Sequence, residues 1–476
     1  MSSISVTKRT FPGNPTGNAA SSRARHALAP TLVSVAAALC AALALVKLSL
    51  VGDLFLSELL LPIVAAIAAS SGGQRVFADP AFKALFAASM LTLLGYILSD
   101  LAQGSRPDQF LRGWGRVALV ISDFVCLSII FGQDKRNFWW YSLGAGLGNI
   151  LYLSVGMQTP LSKWKFGYAD PIARTSITLG AFVPLRMLSV WLVLLGLHSM
   201  WSDFRSFAGL CLAVAAILWV QAGDQKRGGR RGGAATVKLL IAGAVAAIVI
   251  SVTMSLTVEQ QSAIRRLESN SGREAAIEVG IKAILRSPVI GYGSWAENKE
   301  LAAMYTKRTN QLNGGSVRGS VSESYFAPHS QILHDWMEGG ILGAALFFSL
   351  AYYLLKTSYW LVKTRPVDYL TPLLLYSLII VIFNLFMSPF SASHRLWIAT
   401  GAALILMLNI ERRRNMPTPL KVRQESSVAV EQPQEQAPAR NRLRSINRTL
   451  HRADRRLREK TRQLFILTSG RASDSA

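Results

Sequence analysis

The sequence predicts an all-α polytopic membrane protein of about 12 transmembrane helices, with one long helical loop near the C-terminal third. Three observations predict it. Of the 476 residues, 51% are hydrophobic and 16% charged, where a soluble domain carries about a quarter charged residues. Apolar stretches near the roughly 20 residues that a span needs recur along the chain. One polar interval of about 80 residues, 257–335, separates two sets of such stretches.

The apolar stretches are 28–47, 50–70, 82–99, 114–132, 138–157, 176–197, 204–221, 237–255, 336–355, 370–387 and 396–408. The first comes after a polar N-terminal tail and lacks a small-residue cleavage site, so it reads as an uncleaved span. The formal charge of +24 is not a nucleic-acid signature, because no basic patch is interleaved with aromatic residues. Basic residues gather instead in the N-terminal tail, in the run around Arg227, Arg230 and Arg231, and from Arg412 onward. Basic tails and short basic loops mark the cytoplasmic side.

Working back from those charges, 257–335 is non-cytoplasmic. Counting forward from a cytoplasmic N-terminus leaves one crossing short. Splitting 172–200 at Pro184-Leu185-Arg186 repairs the count, since proline removes a helix hydrogen bond and an arginine at the bilayer centre is costly; the alternative is that one other segment does not cross fully. The organisation is then a tail (1–27), a bundle (28–256), the loop (257–335), a second bundle (336–410) and a basic cytoplasmic tail (411–476). Residues 416–439 read as a disordered linker. Residues 440–467 can form a basic amphipathic helix on an anionic leaflet, or a solvated tail. Cys40, Cys126 and Cys211 all lie in apolar stretches, so there is no disulfide framework.

Within the loop, 271–288 reads as a helix with an apolar stripe of Ala276, Ile277, Gly280, Ile281, Ile284 and Leu285. It ends at Pro288, ahead of the tight turn Gly291-Tyr292-Gly293. A second helix begins near Ser330 and runs into the stretch from Trp336. Gly291-Tyr292-Gly293 is not a potassium filter, which needs a pore helix behind a short re-entrant loop.

Candidate chemistry centres on His329, a proton-handling group where an aqueous loop meets the membrane surface. Arg273, Arg265 and Arg266 lie on the same side, as does Arg205. Arginine forks onto phosphate oxygens and stays charged at any pH. For each arginine the plain alternative is a snorkelling or salt-bridged surface residue. His394-Arg395 is a weaker candidate, and His334 has Glu338 one helical turn on as a structural partner. No metal is expected, because no His/Asp/Glu/Cys set has ligand spacing.

The order Arg273…Pro288…Gly291-Tyr292-Gly293…His329-Ser330…Leu333…Glu338-Gly339-Gly340…Gly343 resembles the O-antigen ligase and O-antigen polymerase superfamily of bacterial envelopes. In that family His-Asn-x-x-Leu precedes Glu-x-Gly; here Ser330 stands in the asparagine's place. A Ser-Arg-Gly signature is reduced to Ser202-Asp203-Phe204-Arg205-Ser206. The resemblance implies a metal-independent, inverting glycosyltransferase without cofactors, in the bacterial inner membrane with its loop in the periplasm. It implies a polyprenyl-pyrophosphate-linked glycan donor and a glycan, lipid A-core or protein acceptor. His329 would be the catalytic base, Arg273, Arg205, Arg265 and Arg266 would hold the pyrophosphate, and Ser330 and Glu338 would support them. A transporter or flippase is the competing class. It would use ionisable residues in or near spans, such as Asp53, Glu58, Asp123 and Arg186, and often internal repeats. No repeat is evident, and a transporter has no need of the long loop.

Overall fold

The computed structural model describes residues 31–49, 52–156, 163–202, 204–226, 260–295, 298–313, 326–363, 367–388 and 394–414. The basic tail beyond Arg414 and the apolar stretch 237–255 lie outside the described residues, and with them the linker and amphipathic-helix readings. The chain divides into two units, Met1–Arg413 and Arg414–Ala476, and the described helices belong to the first.

These helices are α1 (Leu32–Ala42), α2 (Leu56–Ser70), α3 (Pro80–Gln103), α4 (Pro107–Gln133), α5 (Arg136–Ser154), α6 (Ala169–Leu179), α7 (Leu185–Trp201) and α8 (Arg205–Lys226). Further along the chain come α9 (Gln260–Arg286), α10 (Lys299–Leu312), α11 (Gln331–Gly343), α12 (Ala345–Lys363), α13 (Thr371–Met387) and α14 (Arg395–Arg414). The described fold is helical apart from a short antiparallel hairpin that composition did not foretell. It pairs Lys47 with Phe55, Leu48 with Leu54 and Ser49 with Asp53. Lys47 Nζ lies 2.7 Å from Asp53 Oδ1 diagonally across the pair of strands.

Several helices are inverted relative to those of a soluble protein. Met90, Leu91, Leu94 and Leu98 stand exposed along α3, and Met187, Val190, Trp191 and Leu194 along α7. Their spacing is that of one helical stripe, turned outward where water would penalise it. Charged residues are drawn inward instead: Glu58, Arg116, Asp123, Arg174 and Arg395 are all buried. This is a membrane protein. Among the described residues, Pro80–Gln103, Pro107–Gln133 and Arg205–Gly223 are long and apolar enough to cross a bilayer. Helices α1, α2, α7 and α13 are apolar but shorter. The expected 12 crossings are therefore matched only in part.

Two breaks interrupt the apolar stretches, one expected and one not. Extended Val183 and capping Pro184 separate α6 from α7, the place where the charge pattern called for a division; Arg186 stacks over the Trp219 ring of α8 at 5.7 Å. The stretch from Trp336, expected as one span, is bent by 109° between α11 and α12. Thr92 of α3 sits at that bend, with its Oγ1 accepting from Leu346 N at 3.0 Å.

Close helix approaches are built on glycine. A Cβ on Gly144 would lie 2.0 Å from the Ala38 carbonyl oxygen, and one on Gly148 would lie 2.4 Å from Ala42 Cα. Small residues four apart let α5 seat directly on α1, the usual device where lipid supplies no hydrophobic drive between helices. Gly144→Val is expected to lower the melting temperature in detergent, at a cost of about 1–3 kcal/mol from overpacking. Gly115→Ala, at a helix-interior position with nothing within 4 Å, should not lower it.

Candidate active site

The loop carries its own small core of Ala276, Val279, Ala283 and Ile284 from α9, Leu301 from α10, and Phe326 and Met337. Helix α9 starts well before the expected Ser271, and its buried stripe is rotated from the one read in the sequence. Ile281 and Leu285 are exposed, and Ala275, Val279 and Ala283 take the interior places. Small side chains win there because α10 and Pro328 pack close. A Cβ on Gly280 would meet the Pro328 ring at 2.9 Å.

That packing sets His329 beside α9. Arg273 lies seven residues before Gly280, two turns along the same face. His329 is half-buried, and its Nδ1 has no hydrogen-bond partner among the described residues. Burial holds the imidazole below its ordinary pKa of 6.5, the Arg273 charge adds to the effect, and the Ala327 backbone opposes it. His329 and Arg273 are thus electrostatically coupled, and His329 is the neutral imidazole at pH 7.

Ser330 caps α11. Its Oγ accepts from Leu333 N at 3.4 Å and donates to the Leu385 carbonyl of α13 at 3.4 Å. At an N-cap, serine and asparagine are close equivalents. Arg205 opens α8, and α8 and α11 both pack against α13. Arg265 and Arg266 lie in the first turns of α9, where the side chains are outside the described residues.

Glu338 is fully buried and ion-paired to Arg116 of α4. It lies 3.2 Å from His334 Nε2 and accepts from Trp295 N at 3.0 Å. The Tyr96 hydroxyl of α3 sits 2.9 Å from Glu338 Oε2 and 2.5 Å from Asp335 Oδ1. With one proton to give, it donates to one of them at a time. Arg116 also lies 4.9 Å from the Trp295 ring centroid. This cluster is what fastens the loop to the bundle.

The glycine motifs belong to the same fastening. Tyr292 N donates to the Met337 carbonyl at 2.9 Å, Gly293 N to the Glu338 carbonyl at 3.0 Å, and Ile341 N to the Pro288 carbonyl at 3.0 Å. The seam requires left-handed backbone at Gly291, Gly293 and Gly340, with φ of 82°, 85° and 66°, which glycine adopts freely. A Cβ on Gly340 would lie 1.9 Å from the Val289 carbonyl oxygen. From the bundle, Ser99 Oγ donates to the Glu338 carbonyl at 2.7 Å, and Asp100 accepts from Ser294 N and Oγ, both at 2.6 Å. Gly95 of α3 faces Gly339 and Gly343 across a near-contact of backbones.

Tyr96, Ser99, Asp100 and Arg116 escaped the sequence reading. The signal that marks two of them is an ionisable residue, Asp100 or Arg116, in an otherwise apolar helix. Of the weaker candidate pair His394-Arg395, Arg395 is engaged by Glu58, which its Nε and Nη2 bond at 2.7 and 2.8 Å.

If His329 acts as a base, only its neutral form works, so activity rises as pH climbs through its pKa. Arg273→Gln removes a charge that holds this pKa down. Its acid limb should therefore move to higher pH than in the wild type, read from transfer rate against pH.

Residues 189–348 match the family model described as O-antigen ligase. A search of curated proteins found no match.

Proposed function

From the O-antigen ligase family region that this chain carries over residues 189–348, we propose that it transfers a glycan from a polyprenyl-pyrophosphate carrier to an acceptor hydroxyl. The reaction belongs to the periplasmic face of the bacterial inner membrane, with the chain crossing that membrane several times. The observation that carries the site assignment is the coupling of half-buried His329, with its open Nδ1, to Arg273 on the facing helix.

Chemically, the acceptor oxygen bonds to the anomeric carbon as the bond from that carbon to the pyrophosphate oxygen breaks. The electron pair leaves with the pyrophosphate, and the acceptor proton passes to His329. Attack from the face opposite the leaving group inverts the anomeric configuration. Arg273, Arg205, Arg265 and Arg266 meet the growing negative charge, a preorganised electrostatic role that needs no metal. Ser330 and Glu338 hold α11 in place behind the histidine. Polymerase and ligase share this chemistry and differ in acceptor: another lipid-linked glycan for the first, lipid A-core or a protein for the second.

The test is transfer by purified protein in nanodiscs, given polyprenyl-pyrophosphate oligosaccharide and either acceptor. Product with inverted linkage supports the reading, and no product with any acceptor overturns it. A transporter is the second reading, favoured by the buried Glu58–Arg395 pair beside Asp123. Transfer in detergent, where no compartments exist, excludes it as the sole activity.

A further inference from the structure

Helices α5, α6 and α14 border an open-sided cleft. No described residue of the loop lines it. Arg174 does, at 5% exposure, with its guanidinium carbon 3.8 Å from the Trp397 ring centroid. One Nη of Arg174 lies 3.7 Å from Asp170, while its buried Nε has no partner among the described residues. Asp170 is itself held by the Tyr376 hydroxyl at 2.5 Å. Asn149 also lines the cleft, its buried Oδ1 without a partner in the same sense, and Tyr141 and Thr400 bring hydroxyls to the lining.

We propose that this cleft binds a neutral sugar ring of the transferred glycan or its acceptor, at a subsite separate from His329. The lining selects the ligand by its donors and acceptors. Arg174 Nε offers a proton and Asn149 Oδ1 needs one. A sugar hydroxyl accepts and donates at once, so adjacent hydroxyls satisfy both atoms. A phosphate oxygen only accepts. It would leave Asn149 Oδ1 unmet and set more negative charge beside Asp170, where the Arg174 cation is already balanced. An acyl chain satisfies neither atom, and an unmet buried polar atom costs about 1–3 kcal/mol.

The identity of the sugar's parent rests on the glycan-transfer reading; the cleft's preference for a polyol does not. The probe is the free oligosaccharide repeat released by mild acid from the host's surface polysaccharide, bound to the full-length protein in nanodiscs and followed by saturation-transfer NMR. Wild type and Gly115→Ala should bind it alike. Asn149→Leu, which removes an unpartnered atom and disturbs no side-chain bond among the described residues, should weaken binding at least tenfold, as should Arg174→Met. Wild-type affinity in Asn149→Leu, no binding to the wild type, or displacement by phosphatidylglycerol or inorganic pyrophosphate would each overturn the proposal. Saccharide binding without transfer by the wild type would defeat the glycan-transfer reading and leave the cleft standing.

Discussion

His329→Ala is expected to reduce glycan transfer by about 10²–10⁴-fold, the usual contribution of a positioned general base, with the protein still accumulating normally. Its ring is half-buried and its Nδ1 unpartnered among the described residues, so truncation removes little that the fold depends on. The neighbouring structure survives: Pro328 still seats on Gly280, and Ser330 still caps α11. The loss should fall on kcat more than on KM, because a base acts in the transition state. Single-turnover transfer in nanodiscs, with protein level checked on the same samples, measures both. Wild-type turnover in this variant would remove His329 from the chemistry.

Arg116→Ala is expected to have the largest effect on stability, about 3–5 kcal/mol, since it strands the Glu338 carboxylate in the interior. The damage should be local before it is global. Residues 288–295 should become protease-sensitive, because Trp295 N and the Glu338 carbonyl both anchor there. Combining Arg116→Met with Glu338→Leu should recover part of the loss, as buried ion pairs often tolerate joint apolar replacement. Limited proteolysis and thermal melting in detergent read the two stages. A double variant no more stable than Arg116→Ala would mean that Tyr96 and Trp295 also depend on the carboxylate.

What composition could reveal was the solvent: long apolar stretches, basic ends and one polar interval. It could not reveal shape within the apolar stretches. The bend after Gly343 depends on Gly340 and on Thr92, about 250 residues earlier in the chain, and hydropathy averages across both. The division at Pro184 was legible because proline acts locally. The loop's motifs were legible as order and spacing, and Ser330 even fell at the helix start. Their physical purpose was not. Gly291, Gly293 and Gly340 serve a backbone seam whose two sides are far apart in sequence, and Glu338 answers an arginine on α4. The rotated stripe of α9 has the same origin: Leu285 looks interior by size, yet Ala275, Val279 and Ala283 take the inner places beside Pro328 and α10.

The seam between residues 288–294 and 336–341 also constrains synthesis. When the ribosome has completed α9 and α10, one half of the fastening is still untranslated. The bundle's half, on α3 and α4, has waited since early in translation. A chain terminated ahead of Met337 would keep every preceding helix yet hold a loop with nothing to latch onto. Excised as a soluble fragment, that loop would lack Tyr96, Ser99, Asp100 and Arg116 for the same reason.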